Sequence, residues 1–203
     1  MRRHLANPAP ERGMALISAL LLLLVMTIMA VGMFRSFGLQ EKIAGNTREK
    51  QRSLHSSESA QAYAEWWLTS NNGLNTLNTP VNCTKQVSAD TGQTQICTNA
   101  LTKPTDPTSW TAMGNSYTPP GLTVGSGGVD TYYSLPAFNI SFLYAPPFDT
   151  QTKTQTSFYQ VDALGYGGTS GAASVVESLY EVNVTYGATT SGRHGRFVDL
   201  GGP

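Results

Sequence analysis

The residues of this sequence that could do chemistry are few and lie far apart. The two cysteines, Cys83 and Cys97, have no histidine or further thiol near them, whereas a structural zinc site needs four ligands. The histidines, His4, His55 and His194, are too scattered to suggest a catalytic triad or a metal site. The sequence therefore predicts no metal and no other cofactor.

Two further patterns resemble functional sites but are better explained as ordinary secondary structure. Glu177 and Glu181 are four residues apart, but their β-branched surroundings predict a strand on which both face solvent. The glycine-rich segment GYGGTSG lacks the lysine and the spacing of a phosphate-binding loop, so a hairpin turn is the better interpretation. Lys plus Arg and Asp plus Glu both total 13, which gives no net field to attract nucleic acid. We expect neither an enzyme nor a nucleic-acid-binding protein.

The strongest signal is an apolar run from Met14 to Phe34, which is about long enough to cross a bilayer as a helix. Arg2, Arg3 and Arg12 precede it, so the positive-inside bias predicts a cytoplasmic N-terminus and an exported remainder. Three interpretations fit: a secretory signal peptide, for which Ala30-Val31-Gly32 is a poor cleavage site, a plain membrane anchor, and a type IV prepilin leader.

An exported location also predicts the redox state of the two cysteines. Cys83 and Cys97 flank the turn signal Asp90-Thr91-Gly92, and the sequence around them can be folded as a hairpin. Two nearby cysteines usually pair in an oxidising periplasm. We therefore expect a disulfide, which would stabilise the fold by about 3 kcal/mol in the chain-entropy model.

The chain after the apolar run favours the prepilin interpretation. Residues 39–65 contain no proline and are rich in Gln, Glu, Lys, Arg and Ala, which lose little freedom in a helix. Ser56, Ser57, Ser59 and Ala60 form a small-residue surface that could pack closely on a sheet. A helix from Met14 to about Leu68 would be roughly 80 Å long. Its first half needs lipid or neighbouring copies of itself, and its second half needs a globular head.

These segments resemble a known family. The strings RGMALISALLLLLVMT, LQEKIAGNTREKQRSL and SSESAQAYAE are similar to the N-terminal region of the PilX family of minor type IV pilins. The AGN block is the more specific part, since apolar helices are common and this polar string is not. The resemblance implies that a prepilin peptidase cuts after Gly13 and that Met14 becomes the methylated mature N-terminus. It also implies incorporation into, or priming of, a retractable pilus.

One position departs from the general pilin pattern. Major pilins have Glu as the fifth mature residue, where this chain has Ser18. In the pilin model that Glu pairs with the N-terminal amine of a neighbouring subunit, and a buried charge is tolerated only when it is met. Ser18 therefore points to a low-copy subunit at the filament tip, or it is simply a small residue at a helix interface.

The remainder predicts an antiparallel sheet, and the fold class is α+β: the type IV pilin fold, with a long N-terminal helix packed on a C-terminal sheet. Residues 138–144 alternate as a half-buried strand, and 158–164 and 175–186 are further strands. The passage GYGGTSGAASVVESLYEV resembles the closing hairpin of many pilin heads. Residues 69–136 are rich in Thr, Asn, Ser, Gly and Pro and predict mostly solvated loop. The tail SGRHGRFVDLGGP predicts a frayed terminus.

The domain division follows: a leader at 1–13, a transmembrane or filament-core half of the helix at 14–34, an amphipathic half at 35–68, and a periplasmic or extracellular head at 69–203. The resemblance implies other minor pilins, a tip adhesin and the major pilin as partners, with residence in the inner membrane before assembly and on the cell surface after it. Twitching motility and adhesion are the implied activities. The alternatives are a pseudopilin of a type II secretion system and a single-pass anchored periplasmic domain.

Overall fold

The computed structural model describes residues 12–70, 79–111, 113–125, 131–185 and 191–201. Most of the leader 1–13 lies outside these residues. Helix α1 spans Arg12–Thr69 without interruption, in agreement with the expected long helix. The chain divides into two compact units, Met1–Asn46 and Thr47–Pro203. The second unit contains the last turns of α1 and the whole sheet.

The sheet has six strands in sequential order. They are β1 (Val87–Ser88), β2 (Asn115–Ser116), β3 (Ala137–Tyr144), β4 (Thr154–Tyr166), β5 (Ala173–Thr185) and β6 (Ser191–Gly201). Every neighbouring pair is antiparallel except β1 and β2, which are parallel. The expected α+β arrangement, a long helix packed on a mostly antiparallel sheet, is confirmed.

The core lies between α1 and one face of the sheet. Phe138, Ile140 and Val161 are fully buried on that face, opposite Ala64 and Leu68 of the helix. The alternation of β3, β4 and β5 places one set of apolar side chains toward the helix because successive residues of a strand point to opposite faces. A second, smaller cluster contains Leu101, Trp110, Ala137, Leu164, Ala173 and Val175.

The structure corrects the expectation that β3 is half-buried. Asn139 and Ser141, the polar residues of its pattern, are buried as well. The segment around Cys97 pairs with Ser141 at the edge of β3, and the cluster with Trp110 packs near its start. Residues 79–125 are mostly loop, as predicted, but they also place Ile96, Leu101 and Trp110 in the interior.

The hairpin expected around Asp90-Thr91-Gly92 is wrong. The turn exists as a 3-10 helix over Ala89–Thr91, which Gly92 closes in the left-handed conformation, with φ of 73°. The flanking segments do not form an antiparallel pair, since Val81 bridges Cys97 in parallel and Cys97 in turn bridges Ser141. Their backbone groups find partners far along the chain, which local turn chemistry does not reveal.

The prediction of a frayed C-terminal tail is also wrong. The tail forms β6, which pairs with β5 from Ser191 opposite Asn183 to Gly201 opposite Val175. Two register shifts interrupt this pairing, between Val175 and Val176 and between Leu179 and Tyr180. The strand exists because it satisfies the backbone groups along β5, although its own glycine-rich sequence has little strand propensity.

Candidate assembly surface on the N-terminal helix

The first half of α1 is apolar and uncovered. Every side chain from Met14 to Phe34 is exposed, and Leu16, Leu20 and Leu23 each expose about three fifths of their surface. Among the described residues, one helix is long and apolar enough to cross a membrane, and it starts at Met14. An apolar surface of this size needs lipid or other apolar helices around it.

Ser18 lies on this apolar surface with its own hydrogen-bonding need met. Its Oγ donates to the carbonyl oxygen of Ala15, one turn earlier, at 3.0 Å. Ser18 shares one face of the helix with Leu22 and Met26. A hydroxyl that bonds within its own helix can enter lipid or a packed helix bundle without a partner, whereas a carboxylate at this position would require one.

Gly13 and Met14 lie in the first turn of α1, which begins at Arg12. This turn contains no acidic residue to offset the partial positive charge of a helix N-terminus. Glycine also favours the helix less than any residue except proline. The bond between Gly13 and Met14 is therefore in a weakly stabilised part of the helix. Its cleavage stays a prediction.

The second half of α1 presents its small side chains to the sheet, as the sequence indicated. Ser53, Ser57 and Ala60 are fully buried. Gly165 of β4 approaches this face so closely that a Cβ there would contact the backbone of Ser53 and Ser57 and lie 2.7 Å from the carbonyl carbon of Ser56. Small residues on the helix and a glycine on the strand together allow this contact.

A polar cluster joins the helix to the β4–β5 turn. Glu49 accepts a short hydrogen bond from the backbone N–H of Gly168, and Arg52 donates to Glu49 at 2.9 Å. Arg52 also donates to the carbonyl of Thr131 at 2.7 Å and lies 4.7 Å from the centre of the Tyr132 ring. The Gly168 bond is the main reason that the pKa of Glu49 is lowered, with Arg52 adding to it against partial burial.

A separate polar contact lies deeper, where Glu65 is buried between the helix and the sheet. Glu65 Oε1 accepts hydrogen bonds from Ser178 at 2.9 Å and from Gln61 at 3.0 Å. Beside it, desolvation and the Glu65 charge raise the pKa of Tyr180. The sequence placed charges on the helix but did not identify Glu49, Arg52 or Glu65 as contacts, because their partners lie 79 to 119 residues away.

Several aromatic residues of the head make contacts within it. Trp110 is buried, and its Nε1 donates to the carbonyl of Pro104 at 2.7 Å. Tyr117 is half-buried and stacks on Tyr63 with ring centres 4.1 Å apart. Tyr133 is half exposed and packs against Tyr166. These residues belong mainly to the head's own packing.

The disulfide is present: Cys83 and Cys97 are joined, with Cα atoms 5.3 Å apart. Asn99 reinforces this link, because its side chain accepts from the N–H of Cys83 and donates to the carbonyl of Cys83. The bond closes the loop that carries β1 and the Gly92 turn. The disulfide therefore closes a loop at the edge of the sheet and does not close a hairpin.

The histidines are not brought together. His55 is exposed on the helix and lies 3.3 Å from Glu58, while His4 and the His194 side chain lie outside the described part. Within the residues that the structure describes, no group of three or more His, Cys, Asp or Glu could hold a metal ion.

Residues 12–65 match the family described as PilX N-terminal. The match covers most of α1 and none of the strands. No curated protein and no solved structure matches the chain. The chain is thus similar to the PilX N-terminal family over residues 12–65, and the head is characterised by its fold.

Proposed function

Taking the PilX-family N-terminal region as the premise, we propose that this chain is a minor pilin of a type IV pilus. Its role is to assemble with other pilins through α1 rather than to catalyse a reaction. The observation that carries the proposal is the division of α1: an uncovered apolar half from Met14 and a half packed into a folded head. Such a helix can pass from a bilayer into a bundle of similar helices while the head stays folded.

The same proposal assigns the segments of the chain. Residues 1–13 are the leader, 14–34 the membrane or filament-core segment, 35–68 the amphipathic half and 69–203 the exported head. A prepilin peptidase cuts between Gly13 and Met14, and Met14 is then methylated. The subunit resides in the inner membrane with its N-terminus in the cytoplasm and joins the surface pilus after processing.

We further propose a position at or near the filament tip, together with other minor pilins, the major pilin and a tip adhesin, in support of twitching and adhesion. Ser18 supports the position. A subunit that presents a self-satisfied hydroxyl has no carboxylate to pair with the N-terminal amine of the subunit ahead of it. The first position in a filament is the one where that pair is not required.

Processing is the direct test. Mass spectrometry of the chain purified from membranes should find a mature N-terminus at methylated Met14, and Gly13→Leu should leave the leader attached. An intact leader in the wild-type chain contradicts the pilin assignment, and a start after Gly32 would indicate ordinary secretion.

Deletion of the gene tests the role. Surface pili and twitching should decrease while synthesis of the major pilin continues, and the chain should co-purify with other minor pilins from sheared filaments. Normal piliation with failed secretion of folded enzymes would instead assign the chain to a type II secretion pseudopilus.

A further inference from the structure

A buried carboxyl group lies on the sheet face that points away from the helix. Asp162, in the middle of β4, is fully buried, and Gln160 Nε2 donates to both of its oxygens at 3.1 and 3.3 Å. The same Nε2 donates to Glu177 Oε2 at 3.1 Å, and Glu177 lies directly opposite Asp162 on β5. One amide group thus serves two carboxyl groups, and burial of an unpaired charge is unfavourable.

The residue that faces Asp162 from the other neighbouring strand has a buried acceptor that lacks a donor. Asn139 of β3 lies directly opposite Asp162 and is fully buried, and its Nδ2 donates to Ser141 at 2.9 Å. Asn139 Oδ1 is buried without a hydrogen-bond partner in the described part of the structure. An ionised carboxylate can only accept, whereas a protonated carboxyl adds one O–H donor.

We propose that Asp162 holds a proton in the folded head and donates it to Asn139, so that loss of this proton loosens the outer face of the sheet. The proton supplies the donor that the cluster lacks and removes the buried charge at the same time. Leu164, two residues along the same face, packs with Leu101 and Trp110. Ionisation of Asp162 therefore acts next to the layer that covers this face.

The charged groups around Asp162 favour a protonated carboxyl group over a salt bridge. β3 contributes the uncharged Asn139 and Ser141 to this side of Asp162, and β5 contributes the like charge of Glu177. Further along the face, Glu181 pairs with Arg193 of β6 at 3.3 Å, and Arg196 of β6 lies opposite Leu179. On the covering segment, Lys103 is exposed and Asp106 is partly exposed. Burial, chiefly, raises the pKa of Asp162 to about 6, and the charge of Glu177 adds to this, while hydrogen bonding to the side chains of Gln160 and Asn139 opposes it.

The sign of the pH dependence follows. The pKa of Asp162 is higher in the folded state than the ordinary value of 3.8, so its stabilising contribution is complete below about pH 4 and is lost as the pH rises through 6. Through this one group the unfolding equilibrium constant should rise by about 60-fold between pH 4 and pH 8, of which about 10-fold falls between pH 5 and pH 8.

The test compares full-length wild type with Asp162→Asn in detergent, with unfolding by denaturant measured from pH 5 to pH 8. Asparagine is isosteric and offers a permanent donor, so the variant should lose this part of the pH dependence and be more stable than wild type at pH 8. Asp106→Asn is the matched control. Hydrogen bonds from Thr108 lower the pKa of Asp106, so it stays ionised over this range and its removal should leave the slope unchanged.

A spectroscopic observation and two stability outcomes decide the interpretation. Carboxyl carbon resonances of labelled aspartate should show one protonated group at pH 5 that is absent from Asp162→Asn. An unchanged slope in Asp162→Asn would overturn the proposal. So would stabilisation of wild type, but not the variant, by Ca²⁺ at pH 8, since Asp162 would then be a cation ligand.

Discussion

At the scale of single residues, the contact between helix and sheet depends on the absence of a side chain at Gly165. The helix backbone at Ser53 and Ser57 occupies the place that a Cβ would take. We expect Gly165→Ala to push the helix from the strand and to reduce the free energy of unfolding by about 1–3 kcal/mol, as overpacking does. Gly171→Ala is the control because no atom lies within 4 Å of its added Cβ. Equal stability of the two variants in denaturant titrations would contradict this account.

Glu49 tests the polar attachment in the same region. Glu49→Ala removes the acceptor for Gly168 and the partner of Arg52, while Glu49→Gln keeps an acceptor oxygen. Because the side chain is partly exposed, we expect Ala to lower the free energy of unfolding by about 1 kcal/mol and Gln by less.

The pH dependence of stability shows whether the charge of Glu49 is what stabilises the fold. Its lowered pKa means that its stabilisation is present above the ordinary value of 4.5 and is lost as the pH falls through the folded-state pKa. Wild type and Glu49→Ala should therefore converge in stability on acidification. A gap between them that persists at low pH would show that Glu49 acts through packing and not through its charge.

At the scale of elements, the disulfide holds a segment whose regular structure is sparse. Its two cysteines are 14 residues apart, and β1 within the loop contains only two residues. Replacement of both cysteines by serine should reduce the free energy of unfolding by about 3 kcal/mol. Equilibrium unfolding of wild type with and without reductant should give the same difference. A much smaller loss would mean that Asn99 and the bridges to Val81 and Ser141 hold the segment without the bond.

The elements also show what the sequence can predict. The alternating apolar residues of strands β3 to β5 indicate the face that packs on the helix, and the small residues of α1 mark the helix face that packs on the sheet. Strand β6 has three glycines and no such pattern, and it exists because β5 offers unpaired backbone groups. The segment around Cys97 pairs with Ser141, 44 positions away by their numbers, so no local signal could reveal it.

The candidate surface was predictable to a similar extent. The apolar half of α1, the small-residue face and the cysteine pair are visible in residue types. The contacts of Glu49, Arg52 and Glu65 are not, since a charged residue on a helix is usually solvated and its distant partner is set by the fold. Asp162 and Asn139 were hidden for the opposite reason: a polar residue in an alternating strand predicts an exposed face, and here that face is covered.

At the scale of the whole molecule, the unit from Thr47 onward contains its own core. Ala60, Ala64, Trp67 and Leu68 of the helix are buried against the sheet within this unit. We therefore expect a fragment of residues 47–203, exported to an oxidising compartment, to be soluble, monomeric and cooperatively folded, as size-exclusion chromatography and thermal unfolding would show. The full chain should require detergent because of its uncovered apolar half.

A fragment of residues 70–203 is the informative comparison, because it keeps every strand and the disulfide but lacks the helix. Removal of the buried helix side chains exposes one whole face of the sheet, and we expect this fragment to aggregate or to unfold without a cooperative transition. If it folded as well as 47–203, the helix would be an attachment to the head and not part of its core. If 47–203 failed to fold while the full chain did, the apolar half would be needed for more than anchoring, and the separation of assembly surface from head would be wrong.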